Sequence, residues 1–265
     1  MAVTFCALGS GSKGNSYLVA GNKNRILVDA GLTAKTIECH LSAIGVYPGE
    51  LDGILVTHEH TDHIAGIKVL SKRYDIPVYA NEPTMIALLR KTGGLEEKNI
   101  RLFTTGEDFF IGEFDITPFK TPHDSASPCG FSVYCRGSKI TVATDIGHMT
   151  RTVLNACKGS DILVLEANHD LDMLLNGPYS PFLKQRVQGP NGHLSNDVCG
   201  KTLAYLLDEG LKQIILAHLS EENNLPQLAY STVCTFLQER GAIAGRDVYV
   251  DVAAQYQRGK CYRLL

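Results

Sequence analysis

Short apolar runs that stop abruptly at polar groups recur along this chain. Runs at residues 3–8, 16–20, 25–29, 53–57, 78–80, 100–103, 108–111, 114–119, 131–135, 139–143, 161–165, 214–217, 248–250 and 261–264 have the length and β-branched or aromatic content of strands. The alternation over 114–119 is imperfect, with Pro118 inside it. Apolar residues at helical spacing predict helices over 33–44 (capped by Thr33, stopped by Gly45), 62–74, 84–90, from a Ser195 cap to about 209, and 225–240. Residues 179–191 read as a loop. No linker, repeat or low-complexity tract divides residues 1–265, so a single domain is expected.

The runs end in chemistry. The strand at 53–57 empties into Thr57-His58-Glu59-His60-Thr61-Asp62-His63, with three histidines and two carboxylates in its last six residues. His58 and His60, two apart, share one direction by the strand period, while Asp62 and His63 at the helix entrance address a neighbouring spot. Neutral imidazoles and a carboxylate suit zinc or manganese, with iron also compatible, so one turn can feed two divalent metal ions side by side. Later strands end likewise. His123 follows 114–119 as a third imidazole for the first metal. Asp145 follows 139–143 and is able to bridge two cations. Glu166 and His169 follow 161–165, and His218 closes 214–217 as the remaining corner of the second metal. Such endings imply one edge of a sandwich carrying the whole site. Residues 9–16, rich in glycine and serine and ending at Asn15 and Ser16, can bring backbone amides close to an anion. Asn15, His169, Lys184 and Arg186 are therefore the candidate phosphate-gripping residues.

Composition narrows the class. An apolar fraction of 44% is ample for a core, and a net charge of −3 gives no global pull toward nucleic acid or anionic membrane. Nothing reaches the apolar length that spans a bilayer, and the first residues lack a signal-peptide layout. The eight cysteines are scattered without a CxxC pair, mostly inside apolar runs. A cytoplasmic location and reduced thiols are expected.

The segment His58-Glu59-His60-Thr61-Asp62-His63 resembles the HxHxDH signature of the metallo-β-lactamase superfamily, whose α/β fold is a four-layered αββα sandwich. By that resemblance Asp29 supports the histidine turn, and Asp145 matches the bridging aspartate. TPHD (121–124), ATDIG (143–147), LEANHD (165–170), GHLSN (192–196) and LAHLSEENN (216–224), together with the early Gly-Ser-Gly-Ser, resemble the YycJ/WalJ-type metallo-hydrolases. This implies a nuclease acting 5′ to 3′ on DNA. The layout is also similar to RNase Z, where a glutamate pairs with a histidine that serves as proton donor. Glu166 and His193 hold those positions, although GHLSN replaces GHST. The intervals His123–Asp145 and Asp145–His218 leave no room for a tRNA-gripping arm or a β-CASP insertion.

Three functional readings follow. The first is a phosphodiester hydrolase on nucleic acid, DNA ahead of RNA. His58, His60 and His123 would hold one ion, Asp62, His63 and His218 the other, and Asp145 both. His193, oriented by Glu166, would protonate the leaving oxygen, with Asp62 at the reacting centre. The second is a hydrolase of small phosphodiesters, cyclic nucleotides or thioesters. The third is a metal-stabilised regulatory protein without turnover. No membrane partner is expected, and a dimer is an open assembly.

Overall fold

Strands apolar on both faces must be covered on both faces, and that requirement explains the layering. The computed structural model describes residues 2–264. The chain runs β1 (Val3–Gly9), β2 (Ser16–Ala20), β3 (Arg25–Val28), α1 (Ala34–Ser42), β4 (Gly53–Leu55), α2 (Thr61–Ile64), α3 (Ile67–Tyr74), β5 (Val78–Asn81), α4 (Glu82–Thr92), β6 (Ile100–Phe103), β7 (Phe109–Ile111) and β8 (Phe114–Lys120). It continues through β9 (Cys129–Cys135), β10 (Ser138–Ala143), α5 (Arg151–Cys157), β11 (Ile162–Glu166), α6 (Leu171–Asn176), α7 (Pro181–Gln188), α8 (Asn196–Leu206), β12 (Gln213–Ala217), α9 (Pro226–Glu239), β13 (Tyr249–Val252) and β14 (Cys261–Leu264).

Two seven-stranded sheets form, ordered β14-β1-β2-β3-β4-β5-β6 and β13-β12-β11-β10-β9-β8-β7. Within β1, Val3, Phe5 and Ala7 pack between the sheets, while Cys6 and Leu8 face the helix layer with Ile37 and Leu70. In β12, Ile215 and Ala217 face the other sheet, while Ile214 and Leu216 meet Leu203 and Val233 of α8 and α9. Three apolar layers therefore separate helix, sheet, sheet and helix, the expected αββα sandwich. Pro118 is accommodated because β8 pairs with β7 only through Phe114–Ile116, leaving the proline beyond that ladder.

The direction of pairing places the site. β3 and β4 are parallel, as are β10, β11 and β12, so their C-terminal ends share one edge. β8 reaches the same edge, being antiparallel to β9, which is antiparallel to β10.

Two expectations need correction. The helix expected over 62–74 divides at Gly66, whose N–H binds the Ala30 carbonyl and where a Cβ would lie 2.6 Å from the Leu32 carbonyl oxygen. Residues 181–188, expected as loop, form α7. Ser180 caps it by accepting the Leu183 N–H, and Pro181 fills its first turn.

Candidate metal centre and active site

At this edge three residues just past strand ends hold left-handed backbone: Asp29 (φ 60°), Asp145 (φ 57°) and His218 (φ 56°). Asp and His tolerate this conformation better than most residues, and such strain gathers at functional sites. Behind the histidine turn, buried Asp29 accepts the Thr57 N–H at 2.9 Å and the Thr57 hydroxyl at 2.8 Å, and lies 2.8 Å from His63 Nδ1. Burial raises the Asp29 carboxyl pKa, with His63 and Thr57 pulling the other way. The segment carrying Asp29 runs so close that a Cβ on Gly31 would lie 1.6 Å from the Asp62 carbonyl oxygen.

With Nδ1 committed to Asp29, His63 presents Nε2 to the cleft side. Asp62 Oδ2 lies 3.3 Å from both His63 Nε2 and His218 Nε2. Asp145 completes the group, with Oδ2 3.3 Å from His63 Nε2 and Oδ1 3.5 Å from His218 Nε2. On the other side His60 Nδ1 stands 3.3 Å from His123 Nε2, and Asp145 Oδ1 is 3.6 Å from that same His123 atom. His58 joins His60 and His123 in a cluster whose donor atoms fall within 4.8 Å of one another. Asp145 thus stands between two donor sets.

These donors fit a metal. His58 Nε2 and Asp145 Oδ2 are buried with no hydrogen-bond partner among the described residues. Orphaned buried groups of this kind are costly unless something else satisfies them. Burial and neighbouring imidazoles hold His58 and His60 low in pKa, leaving them neutral and free to coordinate. Around His218 burial acts the same way, but Asp145, Asp62 and Glu166 outweigh it and pull the imidazole up to about 10. That half of the site has more negative charge than its own side chains balance. Imidazole nitrogens and carboxylate oxygens at these separations are suited to divalent ions that bind at about 2.0–2.2 Å.

His193 and Glu166 lie beside this cluster. Glu166 Oε1 is 2.8 Å from His193 Nδ1 and 2.9 Å from His218 Nδ1, while Oε2 accepts the Ile146 and Leu194 N–H groups at 2.8 and 3.1 Å. Burial would raise the Glu166 carboxyl, yet His193 and His218 prevail and bring it down to about 2. The paired Nδ1 leaves His193 Nε2 free. His193 borders a cleft of about 220 Å³ that is also lined by His60, Asp62, His123, Asp145 and His218.

The phosphate-gripping candidates separate. Arg186 lines the cleft, its Nε donating to Asp124 Oδ2 at 2.6 Å. Lys184 does not line it, because its ammonium donates to the Leu175 carbonyl at 2.7 Å. Asn15 is fully buried behind the turn. Its Nδ2 lies 3.2 Å from His63 Nε2, and its Oδ1 accepts from Ser10 and Gly11, so it braces the centre and cannot meet a substrate phosphate. His169 faces a neighbouring cavity rather than the metal cleft. Ser12, Asn168, Tyr179 and Ser220 also line the cleft. Asn168, which holds the His218 carbonyl at 2.8 Å, was legible as a polar strand ending. Tyr179, inside the stretch read as a loop, carried no signal of its own. Phe182 on α7 is 77% exposed and lines a cavity next to the cleft together with Arg186.

A centre of this kind at the strand-end edge of an αββα sandwich defines a β-lactamase-superfamily protein. The chain belongs to that family: the model of the β-lactamase superfamily domain matches residues 24–219. Within it the chain is of the YycJ/WalJ type. It is 36% identical over 241 residues to the exodeoxyribonuclease YycJ of Bacillus anthracis, covering 91% of both chains. It is likewise 36% identical over 248 residues to the exodeoxyribonuclease WalJ of Streptococcus pneumoniae, covering 93% of this chain and 92% of that one. Among solved structures, the metallo-β-lactamase fold protein YhfI from Bacillus subtilis superposes with a TM-score of 0.73 at 19% identity, over 99% of each chain.

Proposed function

We propose that this protein is a metal-dependent phosphodiester hydrolase, and specifically a DNA exonuclease acting 5′ to 3′ with two divalent ions, zinc or manganese. The observation that carries this reading is the His193–Glu166 pair standing beside two donor sets that meet at Asp145. The names and full-length similarity of the YycJ and WalJ relatives support DNA as the substrate. His58, His60 and His123 would hold one ion and Asp62, His63 and His218 the other, with Asp145 reaching both. Bound ions lower the pKa of water and offset phosphate charge.

The remaining work falls to the chain's own residues. Hydrolysis joins the oxygen of water to phosphorus and breaks the P–O3′ bond, and the departing O3′ takes a proton. His193 delivers that proton from Nε2 while Glu166 fixes its ring through Nδ1, and solvent returns the proton released by water. Asp62 forms part of the cleft wall at the reacting centre. Arg186, held by Asp124, is placed to steady the phosphate. The eight cysteines are all free thiols, and no helix among the described residues is long and apolar enough to cross a membrane. Both fit a proposed place in the cytoplasm.

The test is product mapping on 5′- and 3′-labelled single-stranded DNA, duplex DNA and RNA with manganese or zinc. Release of mononucleotides from the 5′ end of DNA is expected. Cleavage confined to RNA or to small diesters such as cyclic nucleotides would overturn the substrate assignment. Inertness on every diester would favour the regulatory reading.

A further inference from the structure

His193 borders two cavities. One is the metal cleft; the other, of about 350 Å³, lies beyond it and is lined by His148, Met149, His169, Leu171, Gln188 and Val198, among others. This second cavity has apolar walls and a polar edge. Leu171 and Val198 remain 39% and 38% exposed although they face it. His169 is almost wholly buried, and its Nδ1 has no hydrogen-bond partner among the described residues. Burial drives its pKa down to about 4, so it is a neutral imidazole. A neutral ring is poor at gripping phosphate and well suited to the uncharged edge of a nucleobase. The volume is in the range of roughly 300–1,000 Å³ usual for small-ligand sites.

We infer that this cavity receives the 5′-terminal nucleoside, the part of the substrate that departs through O3′. The inference rests on the exonuclease reading above. If His193 gives its proton to O3′, the sugar bearing that oxygen lies on the His193 side of the phosphate. The next space on that side is the His169 cavity. Base faces would rest on Met149, Leu171 and Val198, and a base edge would meet His169. The rest of the strand would leave past Arg186 and Phe182, which border a third cavity adjoining the cleft.

The experiment uses the full chain carrying its metal, with deoxyadenosine 5′-monophosphate as the probe and 2-deoxyribose 5-phosphate as the baseless control. The chain has four methionines, so a methyl-labelled sample gives a simple spectrum in which Met149 can be assigned by substitution. The nucleotide is expected to shift the Met149 methyl, and the sugar phosphate to leave it in place. Val198→Trp, which fills the cavity from its exposed side, should weaken nucleotide binding at least tenfold, with metal content and thermal unfolding showing that the variant is folded. A Met149 signal indifferent to the nucleotide, or binding unchanged in folded Val198→Trp, overturns the inference. Should the wild type fail to cut any DNA, the exonuclease reading falls. The cavity is then judged by the binding arm alone, where a Met149 shift abolished by Val198→Trp upholds it and its absence overturns it.

Discussion

Nδ1 of His193 lies 2.8 Å from Oε1 of Glu166, the oxygen that also stands 2.9 Å from His218 Nδ1, yet His193, unlike His218, belongs to neither proposed metal-donor set. The donor sets His58/His60/His123 and Asp62/His63/His218 close without it. His193→Ala should therefore retain its metal while losing roughly 10²–10⁴-fold in rate on DNA. The loss should be far smaller on bis(4-nitrophenyl) phosphate, whose leaving group departs without a proton. Metal analysis and steady-state kinetics on both substrates check this; metal loss, or equal losses on both, would make His193 a ligand or a structural residue.

Glu166 serves two imidazoles at once, which gives it a signature in acid. Its carboxyl is brought down from an ordinary 4.5 to about 2. A depressed folded pKa contributes stability that is fully present above the unfolded value and is lost as pH falls through the folded one. Denaturant midpoints of the wild type should accordingly drop between about pH 4.5 and pH 2, and Glu166→Gln should show a shallower drop over that window. The same variant should bind metal roughly 10–100-fold more weakly, because His218 loses the partner of its Nδ1. Superimposable pH curves would rule out this account of Glu166.

Gly31 is expected to resist even alanine. With a Cβ at 1.6 Å from the Asp62 carbonyl oxygen, Gly31→Ala forces the segment after β3 away from the histidine turn. Overpacking of this kind costs about 1–3 kcal/mol or more, and here it should also lower metal content by displacing Asp62 and His63. Thermal unfolding and metal analysis read the two effects; normal values in both would show that the turn yields more easily than its packing indicates.

Arg186 and Lys184 should part company. Arg186→Ala should raise the KM for polynucleotide severalfold, since its guanidinium lies in the cleft wall. Lys184→Ala should leave it where it was, since that ammonium is spent on the Leu175 carbonyl. Equal effects would mean that α7 acts as a unit.

The apolar runs made the strands legible, and the polar residue after each run made the donor set legible, because parallel strands bring their endings to one edge. What stayed hidden came from contacts distant in sequence. Asn15 looked like a phosphate nest residue, yet the loop at 9–16 folds under His63, 48 residues away. Lys184 and Arg186 looked equivalent until Pro181 and Ser180 wound them onto α7, where two positions of a helix point in different directions. The left-handed turns at Asp145 and His218 carry no glycine to announce them. The single helix expected over 62–74 failed because Gly66, inside its apolar period, marks a close backbone crossing that the period does not reveal.

The donors come from both sheets: His58, His60, Asp62 and His63 follow β4, while His123, Asp145 and His218 follow β8, β10 and β12. No covalent tether holds the two groups at their working distance. Phe5, Tyr17, Phe114 and Phe131, wedged between the sheets, do that as a calliper whose jaws are the strand ends. The bulk of these rings sets the spacing of the sheets, and so the distance across which the two groups of donors face one another. A substitution such as Phe131→Leu, made in the core and not among the donors, would reach the strand ends through that spacing alone, so the geometry of the centre is partly written in residues that carry none of its chemistry.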